Sequence, residues 1–388
     1  MAQYLLPPIF NPWLKNWSIE ARLLQWLTCL LLCVGLITLL SASYAQSFSQ
    51  HGDGFLVIKK QLRLVVLGII GFNVIVNQRI EFTLKYSPLL FFSCLLLIIG
   101  TLVPGLGTNV NGASRWIFGL QPSELIKPFL ILQAACVFGR WSRLPLKTRL
   151  FWLGIFTFML GCILKQPNLS TTGLCGMTLW LIAVVAEIPW IYLIATSLGG
   201  LIVAGLSLLI NPYQLNRVIS FLDPFADPLG QGYQLIQSLL AIASGGIWGS
   251  GFGLSQQKLA YLPFADTDFI FAVFAEEFGL IGCVILIGFL LFYATLGLDV
   301  ARKCQNRVKR LIASGVTIIL IGQSFLHIGV ASGVLPTTGL PFPLFSYGGS
   351  SMFASLLLAG LLVRVARESS QASLLHLHKN NKLKQKVV

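Results

Sequence analysis

Apolar stretches long enough to cross a bilayer recur along the whole chain, and no other feature constrains its fold as strongly. A helical span takes roughly 20 apolar residues, because every backbone N–H and C=O in the hydrocarbon must be satisfied within the segment. Ten stretches qualify: 23–41, 61–77, 86–102, 123–138, 150–164, 172–186, 190–210, 269–296, 311–334 and 351–363. Charged residues make up 10% of the chain and hydrophobic ones 55%, whereas soluble domains carry about 25% charged residues. The expectation is an all-α polytopic membrane protein with about ten transmembrane helices. It divides into an N-terminal segment, 1–22, a single transmembrane domain, 23–367, and a basic tail, 368–388. The run starting near Leu23 is long enough to stay in the membrane, so no cleavable leader is expected.

The net charge of +14 could suggest nucleic acid, but topology accounts for it. An even number of spans puts both termini on one side. That side collects 19 of the 27 Lys and Arg: Lys15, Arg22, Arg79, Lys85, Arg140, Arg143, Lys147, Arg149, Arg302, Lys303, Arg307, Lys309, Arg310 and the six from Arg364 to Lys386. The positive-inside rule makes it cytoplasmic and removes any need for a nucleic-acid partner. Seven of the eight cysteines lie in apolar runs and none in an outer loop, so no disulfide framework is expected. The four scattered histidines support no zinc site.

One outer loop dominates, 211–268, which holds Asp223, Asp227, Asp266 and Asp268. Within it Leu235, Ile236, Leu239, Leu240 and Ala243 form an apolar stripe at helical spacing, opposite Gln234, Gln237 and Ser238. That pattern predicts an interfacial or re-entrant helix.

Few charges are left that could carry chemistry. Asp268 stands at the outer boundary of the eighth run. It reads either as a partly desolvated general base or as a helix N-cap, with Asp266 as rival or partner. Extrapolated around a helix, Glu276 lies about 80° from Asp268 and Glu277 about 180°, so Glu276 is expected to face the same cavity. Its other reading is a buried structural pair. Glu124 and Lys127 share a helix face, as a structural pair or as part of a headgroup site, with Arg115 and Trp116 just before them. Arg217 and Lys258 could bind phosphate or be solvated loop charges. The stretch from Ser244 to Gly253 follows no strand, which argues against a dinucleotide site. Ser346, Gly348 and Gly349 precede the last span, where free N–H groups can hold an anion or simply form a turn.

In this order, the motifs resemble the SEDS family (shape, elongation, division and sporulation), the FtsW/RodA/SpoVE group. The resemblance runs over about 23–367. Its carriers are Asn111-Gly-Ala-Ser-Arg-Trp, Gln121-Pro-Ser-Glu-Leu-Ile-Lys, Phe221-Leu-Asp-Pro with Asp227-Pro, Gln237-Ser with Ser244-Gly-Gly, Thr267-Asp-Phe-Ile-Phe-Ala through Glu276-Glu, and Leu335-Pro-Thr-Thr-Gly-Leu-Pro through Ser346-Tyr-Gly-Gly-Ser. Ser255-Gln-Gln-Lys-Leu-Ala-Tyr-Leu-Pro looks more like the division branch than the elongation branch.

The resemblance implies a peptidoglycan glycosyltransferase that polymerises lipid II on the outer face of a bacterial plasma membrane, with undecaprenyl diphosphate leaving. The family's catalytic aspartate matches Asp268, and residues matching Glu124, Lys127 and Arg217 are implicated in function there. Implied partners are a class B penicillin-binding transpeptidase and other divisome membrane proteins. A divalent cation, magnesium or manganese, could share the diphosphate's charge, but no ligand cluster in the sequence demonstrates one, and no other cofactor is implied. Three positions depart from the family pattern. Asn168 stands where the family has aspartate, Ala260 where it has an acidic residue, and Asp266 where it has histidine. Competing readings are a flippase or another lipid-linked-sugar transporter, an elongation-type polymerase, and a scaffold for a partner synthase.

Overall fold

The structure is a computed structural model that describes residues 17–110, 113–259 and 261–387. Lys15, Asn111, Gly112 and Ala260 therefore lie outside the described residues. Twelve α-helices are present among them: α1 (Ile19–His51), α2 (Leu56–Asn77), α3 (Ile80–Thr101), α4 (Pro122–Gly139), α5 (Leu146–Lys165), α6 (Leu169–Val185), α7 (Trp190–Ile210), α8 (Pro212–Leu222), α9 (Tyr233–Gly245), α10 (Ile270–Lys303), α11 (Arg307–Ala331) and α12 (Gly349–Val387). A short antiparallel hairpin, β1 (Thr108–Val110) and β2 (Ala113–Trp116), joins α3 to α4.

Ten of these helices answer to the ten expected runs, and α8 and α9 fold from the large loop. Eight are long and apolar enough to cross a membrane. Of the other two, α6 has 17 residues and α4 carries Glu124 and Lys127 in its first turns. Local signals fix several ends. Ser18 caps α1 by accepting from the Ala21 N–H, Asn306 does the same for α11, and Pro122 opens α4 at a position needing no N–H donor.

The helices run up and down, so one end of the bundle gathers the start of α1 and residues 364–369 of α12. There the Ser18 hydroxyl donates to the Ala366 carbonyl at 3.4 Å, and Arg367 lies over the Trp17 ring at 4.3 Å. Ion pairs crowd this end: Lys303 with Glu20, and Lys309 with Glu368 and Glu81 at 2.6 and 3.1 Å. α11 and the first part of α12 are buried nearly all round, and α2, α1 and α4 pack about α12.

The eighth run, read from the sequence as one span, is not a continuous helix. α10 is broken at Gly279 (φ 65°, ψ −168°). The break frees backbone groups, and the glycine-rich stretch after α9 takes them up. Ser250 and Gly251 donate to the carbonyls of Glu276 and Glu277, while Leu280 and Ile281 donate to those of Gly246 and Ile247. Irregular backbone is stable at such depth only when protein supplies these partners.

α9 confirms the helix read from the stripe but turns it. Its packed face is Leu235, Ser238, Ala241 and Gly245, and Ala243 and Leu240 are exposed. Ser238 is drawn inward because its hydroxyl donates to the Ala331 carbonyl at 2.7 Å.

Candidate active site

At the end opposite the ion-pair cluster lies a cavity of about 790 Å³. β2 brings Arg115 and Trp116 to it, α8 brings Tyr213 and Arg217, and the turn before α10 brings Asp268. Thr337, Gly339, Pro341, Tyr347, Gly348, Ser350 and Ser351 complete the wall. Asp268 is the one carboxylate among the described lining residues.

Asp268 is recessed: solvent reaches it through the cavity, but protein surrounds it on the other sides. Burial pushes its carboxyl up to about 6. The Arg217 and Arg115 guanidiniums work against that rise, and Asp266 adds to it. Asp268 is not the cap of α10. That position is Phe269, with no side-chain hydrogen bond, so the N-cap reading is set aside. The turn is held from behind: the Ser346 hydroxyl donates to the Thr267 carbonyl at 2.6 Å, and the Tyr347 N–H to the Asp266 carbonyl at 2.8 Å. Gly339 faces the carboxylate, since a methyl there would stand 3.7 Å from Asp268 Oδ2.

The two arginines are fastened by groups that leave their charge uncompensated. Arg115 donates from Nε and Nη2 to the carbonyls of Gln166 and Pro167, at 3.2 and 2.6 Å. Arg217 donates to the Thr337 carbonyl at 3.3 Å and to the Tyr213 hydroxyl at 2.5 Å, and stacks over the Tyr213 ring. Burial, then the neighbouring Arg217 charge, pulls Arg115 below the usual arginine range. Two guanidiniums facing one carboxylate leave net positive charge, which suits an anionic ligand.

Of the other expected site residues, Gly348 alone joins the lining. Gly348 lines the cavity, whereas Ser346 sits behind it and Gly349 opens α12 against Leu64. Glu276 does not face the cavity. It accepts from the Ser255 hydroxyl at 2.5 Å and the Gln256 N–H at 2.8 Å, so it fastens the loop after α9. The extrapolation failed because Asp268 precedes the helix rather than sitting on it. Lys258 is buried with Glu277 at 2.7 Å and also donates to Ser41, so it is not a phosphate contact. Asn168 caps α6, accepting from the Thr171 N–H at 3.3 Å.

Glu124 and Lys127 form a buried pair at 2.7 Å outside the cavity lining. Lys127 also donates to Gln323 Oε1 at 2.9 Å, and Gln323 Nε2 donates to the Pro341 carbonyl at 2.6 Å. His327, one turn on, places Nδ1 3.0 Å from the Leu340 carbonyl. Together these groups brace the segment facing Asp268. Gln61 of α2 does likewise for the turn before α12, accepting from the Gly348 N–H at 3.3 Å. Sequence reasoning missed Gln323, His327 and Gln61. The available signal was a polar side chain inside an apolar run.

The chain is similar to known proteins along nearly its whole length. A family model described as "Cell cycle protein" (FtsW/RodA/SpoVE) matches residues 22–371. A Synechocystis protein named "Probable peptidoglycan glycosyltransferase FtsW" is 57% identical over 95% of each chain. A Mesostigma viride protein named as a peptidoglycan glycosyltransferase FtsW is 48% identical over 94% of this chain and 89% of its own. Among solved structures, a chain from a peptidoglycan synthase complex, described as coordinating polymerization and crosslinking, superposes with a TM-score of 0.71. It is 30% identical, and the match covers 92% of this chain and all of that one. The rod shape determining protein RodA of Thermus thermophilus superposes with a TM-score of 0.64 at 26% identity, over 92% of this chain and 98% of that one. On this sequence and structural agreement, the chain belongs to the FtsW/RodA/SpoVE family of cell cycle proteins.

Proposed function

We propose that this chain is a peptidoglycan glycosyltransferase that joins lipid II units into glycan strands during cell division. The observation that carries the reading is Asp268, raised to about 6 in a cavity that also holds two arginines. A base with that proton affinity is ionised at neutral pH yet still basic enough to accept a proton in the transition state. The acceptor sugar's 4-hydroxyl oxygen attacks the donor's anomeric carbon, and its proton passes to Asp268. The bond from that carbon to the diphosphate oxygen breaks, and undecaprenyl diphosphate leaves with the electron pair. Arg217 and Arg115 stabilise the growing negative charge. One carboxylate is enough because the leaving group needs no protonation.

In this reading the cavity opens on the outer face of a bacterial plasma membrane, and both ends of the chain are cytoplasmic. Lipid II is the substrate, and a class B penicillin-binding transpeptidase, with other division proteins, is the partner. The similarity to FtsW proteins supports the septal role over elongation.

The test is the purified chain with its candidate transpeptidase and lipid II in detergent. Polymer is expected from the intact protein, with a loss of about 10²–10⁴-fold in Asp268→Ala. Lipid II crossing vesicle bilayers with no polymer formed would replace the enzyme by a flippase. Equal polymer from Asp268→Ala would move the base elsewhere.

A further inference from the structure

Asp268 rides on backbone with no stiffening element of its own. Residues 246–269 hold no helix or strand among the described residues, and tight turns make up the approach to the base. Leu259 and Leu262 donate their N–H groups to the Gln256 and Gln257 carbonyls, and Thr267 and Phe269 both donate to the Phe264 carbonyl. Phe264 is held at φ 57°, in the left-handed region that a bulky side chain avoids. Such a conformation persists only where the surroundings enforce it. The position of the carboxylate therefore depends on what fastens this segment.

One fastening lies just beyond the base, on α10 itself. Glu276 accepts from the Ser255 hydroxyl at 2.5 Å and the Gln256 N–H at 2.8 Å. Glu277 Oε1 accepts from Lys258 Nζ at 2.7 Å and from the hydroxyl of Ser41, on α1, at 2.5 Å. Lys258 also donates to Ser41 at 2.7 Å, so loop, α10 and α1 meet at one point. Lys258 and Glu277 are 19 residues apart, and Asp268 lies midway in the loop that their ion pair closes. The Ser346 and Tyr347 bonds hold the same turn from the segment before α12.

Stability does not explain this clasp. A buried ion pair gains little over apolar side chains of similar volume. Here Glu277 Oε2 has no donor, and neither has the Gln257 amide oxygen. A pair whose task was stability would satisfy both carboxylate oxygens. What this one provides is a fixed register between the loop and the helix.

We propose that Lys258 and Glu277, joined through Ser41 and backed by the Glu276–Ser255 contact, form a clasp that positions Asp268 for the transfer step. Both are positioning residues, buried away from the substrate. The inference rests on the glycosyltransferase reading and deepens it by naming what places its base.

The test uses the full chain with its candidate transpeptidase and lipid II in detergent. Lys258→Met leaves Glu277 unpaired in the interior and is expected to lower the melting temperature. Adding Glu277→Gln removes both charges and should recover most of that loss. In both variants kcat should fall about 10–100-fold, with the KM for lipid II changed less than about threefold. The acid limb of the pH–rate profile should move to lower pH in both. A loosened turn admits water, and the Asp268 carboxyl then falls from about 6 toward the ordinary carboxylate range. The groups facing that turn, Arg217, Arg115, Asp266 and Tyr347, are unchanged. Hydrogen exchange over residues 261–269 should quicken about tenfold or more while α11 stays protected. Lys59→Met, which opens only the exposed pair with Asp53 at 2.8 Å, is the control and should alter none of these.

Recovery of kcat together with thermal stability in the double variant would overturn the inference and leave a structural pair. A raised KM at constant kcat would also overturn it, by making Lys258 a substrate contact. Absence of polymer from the intact protein would instead sink the glycosyltransferase reading. Exchange would still decide the clasp, because unchanged protection over 261–269 in both variants rules it out. The two failures are therefore distinguishable.

Discussion

Asp268 owes its proton affinity to opposing neighbours, and each can be removed separately. Burial raises it, Arg217 and Arg115 lower it, and Asp266 raises it. A base must be ionised to act, so kcat/KM is expected to fall as pH drops through about 6. Arg217→Gln removes a stabilising charge, so the acid limb should move to higher pH, alongside weaker donor binding. Asp266→Asn removes a repelling charge, so the limb should move to lower pH. pH–rate profiles of the three proteins decide this, and shifts of opposite sign are the expected result. Asp268 was legible in the sequence as either a base or a helix N-cap, and the resemblance to the family chose between the two. Glu276 looked equivalent and is not. Its carboxylate is consumed by the Ser255 and Gln256 donors of a segment that no local pattern brings near.

At the scale of single elements, the site depends on two braces. The first is the buried chain from Glu124 through Lys127 and Gln323 to the Pro341 carbonyl. Lys127→Met would leave Glu124 charged and unpartnered in the bundle, a cost of about 3–5 kcal/mol. Pairing it with Glu124→Gln should recover most of that loss, read as thermal unfolding in detergent. Activity that stays low after stability returns would show that the brace sets the position of segment 337–341. The second brace is the break in α10. Gly279 combines a positive φ with close approach, since a Cβ there would come within 2.3 Å of the Gly249 nitrogen. Gly279→Ala therefore strains the backbone by about 1–3 kcal/mol and pushes the loop off the helix. A lower melting temperature and lower activity are expected together. The sequence shows these glycines without their purpose, because pairing between 246–251 and 276–281 leaves no periodic trace.

At the scale of the whole molecule, the chain separates two tasks by end. One end is stitched by ion pairs among Glu20, Lys303, Lys309, Glu81 and Glu368. The other carries the cavity with its arginines and Asp268. If the cation-rich end is cytoplasmic, a cysteine at Leu229, 90% exposed in the large loop, should react with a membrane-impermeant maleimide in intact cells on a cysteine-free background. One at Arg302, in the last turn of α10, should react only after permeabilisation. The reverse pattern would invert the topology. The sequence alone determined the bundle, its repeated spans and the short roster of charges worth suspecting. Those follow from local rules: hydrocarbon demands self-satisfied helices, and charge is expensive inside it. Only the tertiary structure decided which charges face the cavity and which, like Glu124, Lys127, Lys258 and Glu277, neutralise one another in the interior. The charge partners are three and 19 residues apart, but Gln323 and Ser41, 196 and 217 residues from Lys127 and Lys258, complete the two clusters, and the energy of a buried charge is set by whichever group folding brings beside it.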